Sequence, residues 1–539
     1  MAIDTASGTV TPPEDESRPA LGPVGRELSR RWLVVGLILV AVAGAAARLI
    51  RIDALGFNSD EAVYAGQAAA LAGNPNYTDL FPIFRAHPML VQVLVSPLYR
   101  SGEVDVAGRI VIAVLGVLTL AVVYLIGRDL YSRRVGLLAA AVLAVMPYHV
   151  LPTRQMLLDG PMALLVALAM LALVRYALTE RGGWLVASGA LLGLAMLCKE
   201  TAVVMLGSYY AFFALAPAVR IKWRAVLGAF AAVIGVFAIH PITSALAGGG
   251  SKSKSYLVWQ LLREPNHVWT FYPTVVTWSV GLLVVVAALG GLWWARRSNT
   301  WREVLLVSWV VVPAVAFQLW PVKGFQYLLP IAVPMAVLAA RGVLTLPLPR
   351  LVKKRSWARP AVITIMLASL MLPTASAVSS AGSPSFLAGT GGVPGGREVG
   401  QWMSENTPEG ATVLTIGPSM ANLVAYYGHR KAYGLAVSPN PLKRNPSYEP
   451  LVNPDRSLRY SDVQYVVWDA YSADRSEHFS DTLKTLARRY NARVVHIETI
   501  ETTTESGAVV EQPVIVVYAV WSLPAAPKTK PGQEGNKAE

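Results

Sequence analysis

Apolar runs of membrane-spanning length recur from residue 32 to about residue 378 of this chain. Eleven stand out, at about 32–50, 106–127, 135–152, 161–178, 184–198, 202–219, 225–246, 274–295, 303–320, 326–345 and 360–378. Basic residues fall in every second gap. Arg26, Arg30 and Arg31 precede the first run, and Arg128, Arg133 and Arg134 follow the second. Arg181 follows the fourth, Arg220, Lys222 and Arg224 the sixth, Arg296, Arg297 and Arg302 the eighth, and Arg350, Lys353, Lys354 and Arg355 the tenth. Lys and Arg gather in cytoplasmic loops, so this alternation predicts a cytoplasmic N-terminus and puts the intervening loops outside.

The pattern changes after residue 378. Residues 379–396 are rich in Ser, Gly and Pro and read as a linker. Helical and strand periodicities then alternate over 397–523: helix at 397–405, strand at 411–416, helix at 420–427, strand at 463–468, helix at 476–490, and strands at 492–500 and 514–521. The expected fold class is a polytopic α-helical membrane protein of about eleven transmembrane helices (32–378) with a C-terminal extracytoplasmic α/β domain. Residues 1–31 and 524–539 read as disordered tails, the first of them cytoplasmic. No cleavable signal is evident, and the first apolar run reads as an uncleaved span. The plasma membrane is the expected location.

Composition sharpens this picture in two ways. Of 539 residues 54% are hydrophobic, and the net charge is +14. Residues 379–539 hold 15 basic and 16 acidic side chains, a net of −1, so the rest of the chain carries +15. The excess lies largely in short loops, which explains it as topology and argues against nucleic-acid binding. The single cysteine, Cys198, excludes an intrachain disulfide.

Candidate chemistry collects in the loops assigned to the outside. The first, 51–105, contains Asn58-Ser59-Asp60-Glu61-Ala62-Val63-Tyr64-Ala65 and, further on, Arg85, His87 and Pro88. Adjacent carboxylates beside a membrane are costly unless solvated, paired or used. On a helix Asp60 and Tyr64 share a face and Glu61 points roughly 100° away, so the two acids meet different neighbours. Capping a helix is the plainer role for Ser59 or Asp60. Arg154 and Asp159 share the next outer loop, where Asp159 either caps the helix opened by Pro161 or joins Arg154 in an ion pair, anion site or metal site. Lys199-Glu200 interrupts an apolar stretch, as a self-neutralised hinge or as an ammonium offered to a phosphate. Lys323, Gln326 and Tyr327 open a late span, where a membrane-anchoring belt is the alternative. Lys252 and Lys254 lie in a Gly- and Ser-rich loop that reads as solvated or as a lid.

These residues resemble those of the C-type (GT-C) glycosyltransferases, which include the protein O-mannosyltransferases and the lipid A aminoarabinose transferases. Ser59-Asp60-Glu61-Ala62-Val63-Tyr64-Ala65 is similar to their acidic first-loop signature, and Ala86-His87-Pro88 to their His-Pro motif. Arg154 through Pro161 resembles their Arg…Leu-Leu-Asp segment, Gly193 through Thr201 their Gly-Leu…Lys segment, and Lys323 through Pro330 the Tyr-Leu-Leu-Pro start of a late span. The five stand in family order across most of the membrane region. The resemblance implies transfer, with inversion, of a sugar from a polyprenyl-phosphate donor to an extracytoplasmic protein, glycan or lipid hydroxyl. It implies Asp60 as base, with Glu61 and Asp159 beside it. Lys199, Arg154 and Lys323 would take the donor phosphate, and Tyr64, His87, Gln326, Tyr327 and Glu200 would line the substrate site. Some relatives bind a divalent metal ion, for which Glu61 and His87 are the candidate ligands here. Met89 after His87-Pro88, Glu200 after Lys199 and the lack of an inserted β-rich domain depart from the mannosyltransferase pattern, leaving sugar and acceptor open. From another class, a transporter of a lipid-linked sugar would show internal repeats and polar residues near the bilayer centre; this sequence gathers its polar residues at one face.

Overall fold

The computed structural model describes residues 29–84, 86–100, 105–247, 256, 258–297, 300–345, 357–379, 393–503 and 508–520. Both predicted tails (apart from residues 29–31 of the first), most of the linker, Arg85, Lys252 and Lys254 lie outside the described residues.

Among these residues seven helices are long and apolar enough to cross a bilayer: Arg30–Leu49 (α1), Asp105–Leu130, Asp159–Thr179, Trp223–Leu246, Trp301–Leu319, Phe325–Thr345 and Ala358–Ser379. Two more predicted spans are bent pairs. Arg133–Val145 and Pro147–Arg154 meet at 67°, where Pro147 has no N–H to continue the ladder. Tyr272–Val280 and Leu282–Trp294 meet at 92° about Gly281, whose φ of +99° suits only glycine. The remaining two, Gly182–Cys198 and Glu200–Leu215, are short apolar helices that meet at Lys199. The chain is a multi-pass membrane protein, and each of its eleven apolar runs coincides with a helix or a bent pair.

The alternation of loop charge reappears as two unlike ends of the bundle. At one end Tyr131 donates to Glu303 at 2.7 Å, Arg341 pairs with Glu303 at 3.1 Å, and Arg128 and Arg175 flank Asp129. These residues come from four different helices. Loop one, Asp159, Lys199 and Tyr327 lie at the opposite end.

Loop one forms its own helices, among them α2 (Ser59–Leu71) and Leu90–Val95. The C-terminal region docks on it. Its five-stranded sheet consists of β1 (Thr412–Thr415), β2 (Lys431–Gly434), β3 (Tyr465–Asp469), β4 (Arg493–Thr503) and β5 (Val509–Ala519), in the order β2-β1-β3-β5-β4. β1 runs parallel to β2 and β3, and β5 antiparallel to β3 and β4. Short, polar β2 is the strand that periodicity does not reveal. Leu414, Ile416, Val466, Leu483 and Tyr490 form a core on one face of the sheet. On the membrane side Tyr427 donates to Asp105 at 2.6 Å and accepts from the Phe57 N–H at 2.7 Å. Arg397 lies 3.1 Å from Asp105, and Asn422 donates to Ser59 at 2.9 Å. The domain therefore holds both sides of the segment that opens α2.

Candidate active site

α2 begins with reciprocal caps. The Asn58 side chain accepts from the N–H groups of Asp60 (2.9 Å) and Glu61 (3.0 Å), and the Glu61 carboxylate accepts from the Asn58 N–H at 3.1 Å. Glu61 is fully buried. Arg109 grips it through Nε and Nη2, both at 2.7 Å, and the Met156 N–H donates at 2.8 Å. Arg109 spends its other three N–H groups on the carbonyls of Ile52, Leu55 and Gly56. Both charged groups are saturated: five guanidinium donors and about four carboxylate acceptor sites are all used. Glu61, expected beside the reacting atoms, is thereby tied into the frame of loop one and lines neither cavity described below.

Asp60 lies one step around the helix and is exposed. Among the described residues no cation or hydrogen-bond donor reaches its carboxylate. With Val63, Tyr64 and Gln67, the next positions on the same helical face, it lines a cavity of about 70 Å³. Ala86, His87, Tyr256 and the C-terminal residues Asn445, Ser447 and Tyr448 close the cavity.

A second cavity, of about 90 Å³, adjoins it and shares His87 and Tyr256. Its walls are mostly apolar, from Val203, Val204, Ala316, Phe317 and Trp320, with Lys199, Glu200, Gln260 and Tyr327 as polar members. Lys199 caps the end of Gly182–Cys198 and gives two hydrogen bonds to Asp159, at 2.9 and 2.8 Å. Both side chains are buried. Asp159 is the first residue of its helix, and its carboxylate goes to Lys199 instead of a cap. The Lys199 ammonium lies 4.7 Å from the Tyr327 ring centre, a cation–π contact. It has one N–H beyond the two that Asp159 takes. Glu200 meets His87 Nδ1 at 3.0 Å, so the Lys-Glu dipeptide divides between two partners and does not neutralise itself. His87 in turn sits edge-on to Tyr64 and Tyr256.

Three expected residues lie elsewhere. Arg154 does not meet Asp159; it donates to the carbonyls of Ala47 and Ile50 at 2.8 Å and of Arg51 at 3.3 Å, closing the end of α1. Lys323 is clamped through its backbone by Asn266, its ammonium 5.6 Å from the Trp269 ring centre. Gln326 is buried, and its Oε1 has no hydrogen-bond partner among the described residues. Neither Lys323 nor Gln326 lines the two cavities. No three His, Cys, Asp or Glu side chains among the described residues converge as a metal site. Of the two candidate ligands, Glu61 is consumed by Arg109, so that pair does not form a metal site among the described residues.

Sequence reasoning passed over Arg109, Tyr256 and Tyr448. Arg109 carried a signal: an arginine near the start of an apolar run must find a partner. Tyr448 carried only a weak one, a Pro- and Asn-rich stretch too long for an ordinary turn.

Residues 86–244, which include His87, Asp159 and Lys199, match the family model described as dolichyl-phosphate-mannose-protein mannosyltransferase. No curated protein matches the chain. Among solved structures, ArnT from Cupriavidus metallidurans bound to undecaprenyl phosphate superposes with a TM-score of 0.66 at 15% identity, over 93% of this chain and all of that one. The oligosaccharyltransferase AglB from Archaeoglobus fulgidus, in complex with an inhibitory peptide and a dolichol-phosphate, superposes with a TM-score of 0.56 at 12% identity, over 89% of this chain and 74% of that one. Buried ion pairs, a docked C-terminal domain and paired cavities at one end of the bundle thus stand in the fold of the GT-C glycosyltransferases.

Proposed function

We propose that this protein moves a sugar from a polyprenyl-phosphate donor to a hydroxyl group outside the cytoplasm, with inversion at the anomeric carbon. The observation that carries the reading is the pair of cavities. A polar one holds a free carboxylate, an apolar one holds a buried ammonium, and His87 and Tyr256 are common to both. A donor of this class has one end of each kind, a sugar phosphate and a hydrocarbon tail.

In this mechanism the acceptor hydroxyl sits against Asp60. Its oxygen attacks the anomeric carbon from the face opposite the phosphate. The carbon–oxygen bond to phosphate breaks, Asp60 takes the hydroxyl proton, and the polyprenyl phosphate leaves with the bonding pair. Proton transfer to a placed carboxylate contributes about 10²–10⁴-fold. Lys199 meets the charge that grows on the leaving phosphate, where a fixed cation in a partly dry site acts most strongly. Asp159 holds Lys199 in place, and Glu200 holds His87. Glu61 and Arg154 have no part in the chemistry: they hold loop one and the end of α1. Loop charge supports a cytoplasmic N-terminus and an outer C-terminal domain.

The test is transfer of label from radiolabelled polyprenyl-phosphate sugars to a membrane extract, with wild type beside Asp60→Asn. Transfer by wild type alone is expected. Near-normal turnover by Asp60→Asn would remove Asp60 from the mechanism; donor binding without transfer by wild type would favour transport.

A further inference from the structure

A cavity of about 660 Å³ lies between loop one and the C-terminal domain. Loop one supplies one wall, including Asp79. The Pro418–Tyr427 helix supplies Asn422, strand β2 supplies Lys431 and Tyr433, and the turn beyond supplies Tyr448 and Glu449.

Two observations connect it to the site. Ser447 and Tyr448 line both this cleft and the Asp60 cavity, so the two spaces meet at that turn. Asn422 Nδ2 reaches both the Tyr448 hydroxyl (3.0 Å) and the hydroxyl of Ser59 (2.9 Å), the residue next to Asp60. The wall of the cleft is thus bonded to the opening of α2.

The lining is chemically mixed. It offers carboxylates, an amide, an ammonium and phenol rings side by side. Such a surface offers donors, acceptors and flat apolar faces together, and a sugar ring has hydroxyls at its rim and C–H groups on its faces. Charge argues the same way. Among the described residues that line the cleft, Asp79 and Glu449 outnumber Lys431, whose ammonium already lies 5.3 Å from the Tyr433 ring centre. An acceptor bearing phosphates would meet net negative charge here, and like charges brought together oppose binding.

We propose that this cleft binds the acceptor and that the acceptor is an uncharged saccharide chain, laid across Tyr433 and Tyr448 with its terminal hydroxyl directed to Asp60. The inference rests on the transferase reading, and deepens it by naming the acceptor class. It also gives the C-terminal domain its work: acceptor recognition.

Two measurements on the full chain in detergent test it separately. The first is binding of neutral linear hexasaccharides (a mannan, an arabinan and a glucan fragment) without donor, read by saturation-transfer NMR. At least one should bind wild type, and Tyr433→Ala should weaken it about tenfold or more; Tyr433→Phe should restore most of the affinity. No binding of any of the three, or equal binding by Tyr433→Ala, overturns the cleft assignment. The second is the labelled transfer assay, with products sorted by protease, glycosidase and solvent extraction. Label in a protease-resistant glycan, reduced at least fivefold by Tyr433→Ala through KM with kcat little changed, supports the proposal. Label in a protein or in a phosphorylated lipid overturns it while leaving the transferase reading intact. Saccharide binding lost in Tyr433→Ala, with no transfer from any donor, keeps the cleft and removes the transferase.

Discussion

Two buried ion pairs lie at the loop-one end of the bundle, and they are built differently. Glu61–Arg109 is complete: the guanidinium and the carboxylate have no bonding capacity left. Asp159–Lys199 is not. Lys199 has a donor to spare, borders a cavity, and rests against a tyrosine ring instead of a second carboxylate. A saturated pair can only hold a shape. A pair with unused capacity beside open space can receive another charge. Burial alone does not separate the two, since both pairs are nearly inaccessible; the count of unused donors does.

The largest effect expected from breaking this contrast is on stability at Glu61. Glu61→Gln leaves the Arg109 charge buried without its counterion, a loss of about 3–5 kcal/mol. The variant should show a much lower unfolding midpoint in detergent. Wild-type thermal stability in Glu61→Gln would sink the structural reading of this pair.

Lys199→Met should behave in the opposite sense. Removing the ammonium also strands Asp159, but that carboxyl can take up a proton in place of the lost partner. Fold should therefore survive better than in Glu61→Gln. Transfer should drop by about 10²–10³-fold, the range for losing one group that stabilises transition-state charge. Single-turnover kinetics with saturating donor would show it. A variant that unfolds as readily as Glu61→Gln would make the two pairs alike after all.

A third buried carboxylate, Asp469 at the end of β3, extends the comparison because no cation among the described residues pairs with it. One oxygen accepts from the Ser472 N–H at 2.7 Å and the other has no partner among the described residues. Burial pushes this carboxyl up to about 6, against about 3.9 in an unfolded chain. The folded state then keeps its proton to higher pH than the unfolded state does. Stability from this group is full below about pH 4 and is lost as pH rises to about 6, by up to about 3 kcal/mol. Asp469→Asn keeps the acceptor for Ser472 and removes the charge. It should raise the unfolding midpoint at pH 7 and do little at pH 4; an equal effect at both pH values would rule out the titration.

How much of this was legible beforehand follows from the same contrast. The apolar runs are set by the bilayer, a constraint each segment meets by itself, so each of the eleven could be placed on a helix or a bent pair, seven of them single helices long enough to cross. Asp60 and Glu61 could be given different surroundings, because helical periodicity alone separates them. Their roles could not be apportioned, because that depended on Arg109, 48 residues away and folded against the same loop. Arg154 misled for the same reason: five residues separate it from Asp159 in sequence, yet the carbonyls at the end of α1 claim it. Strand β2 and Tyr448 belong to the acceptor cleft, and pairings across the sheet and between domains leave no local period.

The smallest of these effects tests how tightly the frame and the reacting carboxylate are joined. Asn58 caps α2, but its Nδ2 also donates to Gln155 at 2.8 Å, beside the Met156 N–H that holds Glu61. Asn58→Ala removes both interactions and should cost about 1 kcal/mol. Asn58→Ser keeps an acceptor for the α2 N–H groups and loses only the link to Gln155. If capping is what matters, Ser restores both the unfolding midpoint and the transfer rate. If the link to Gln155 positions Asp60, Ser restores the midpoint alone and transfer stays reduced. A split of that kind would show that the saturated pair, although it touches no substrate, sets where the free carboxylate stands.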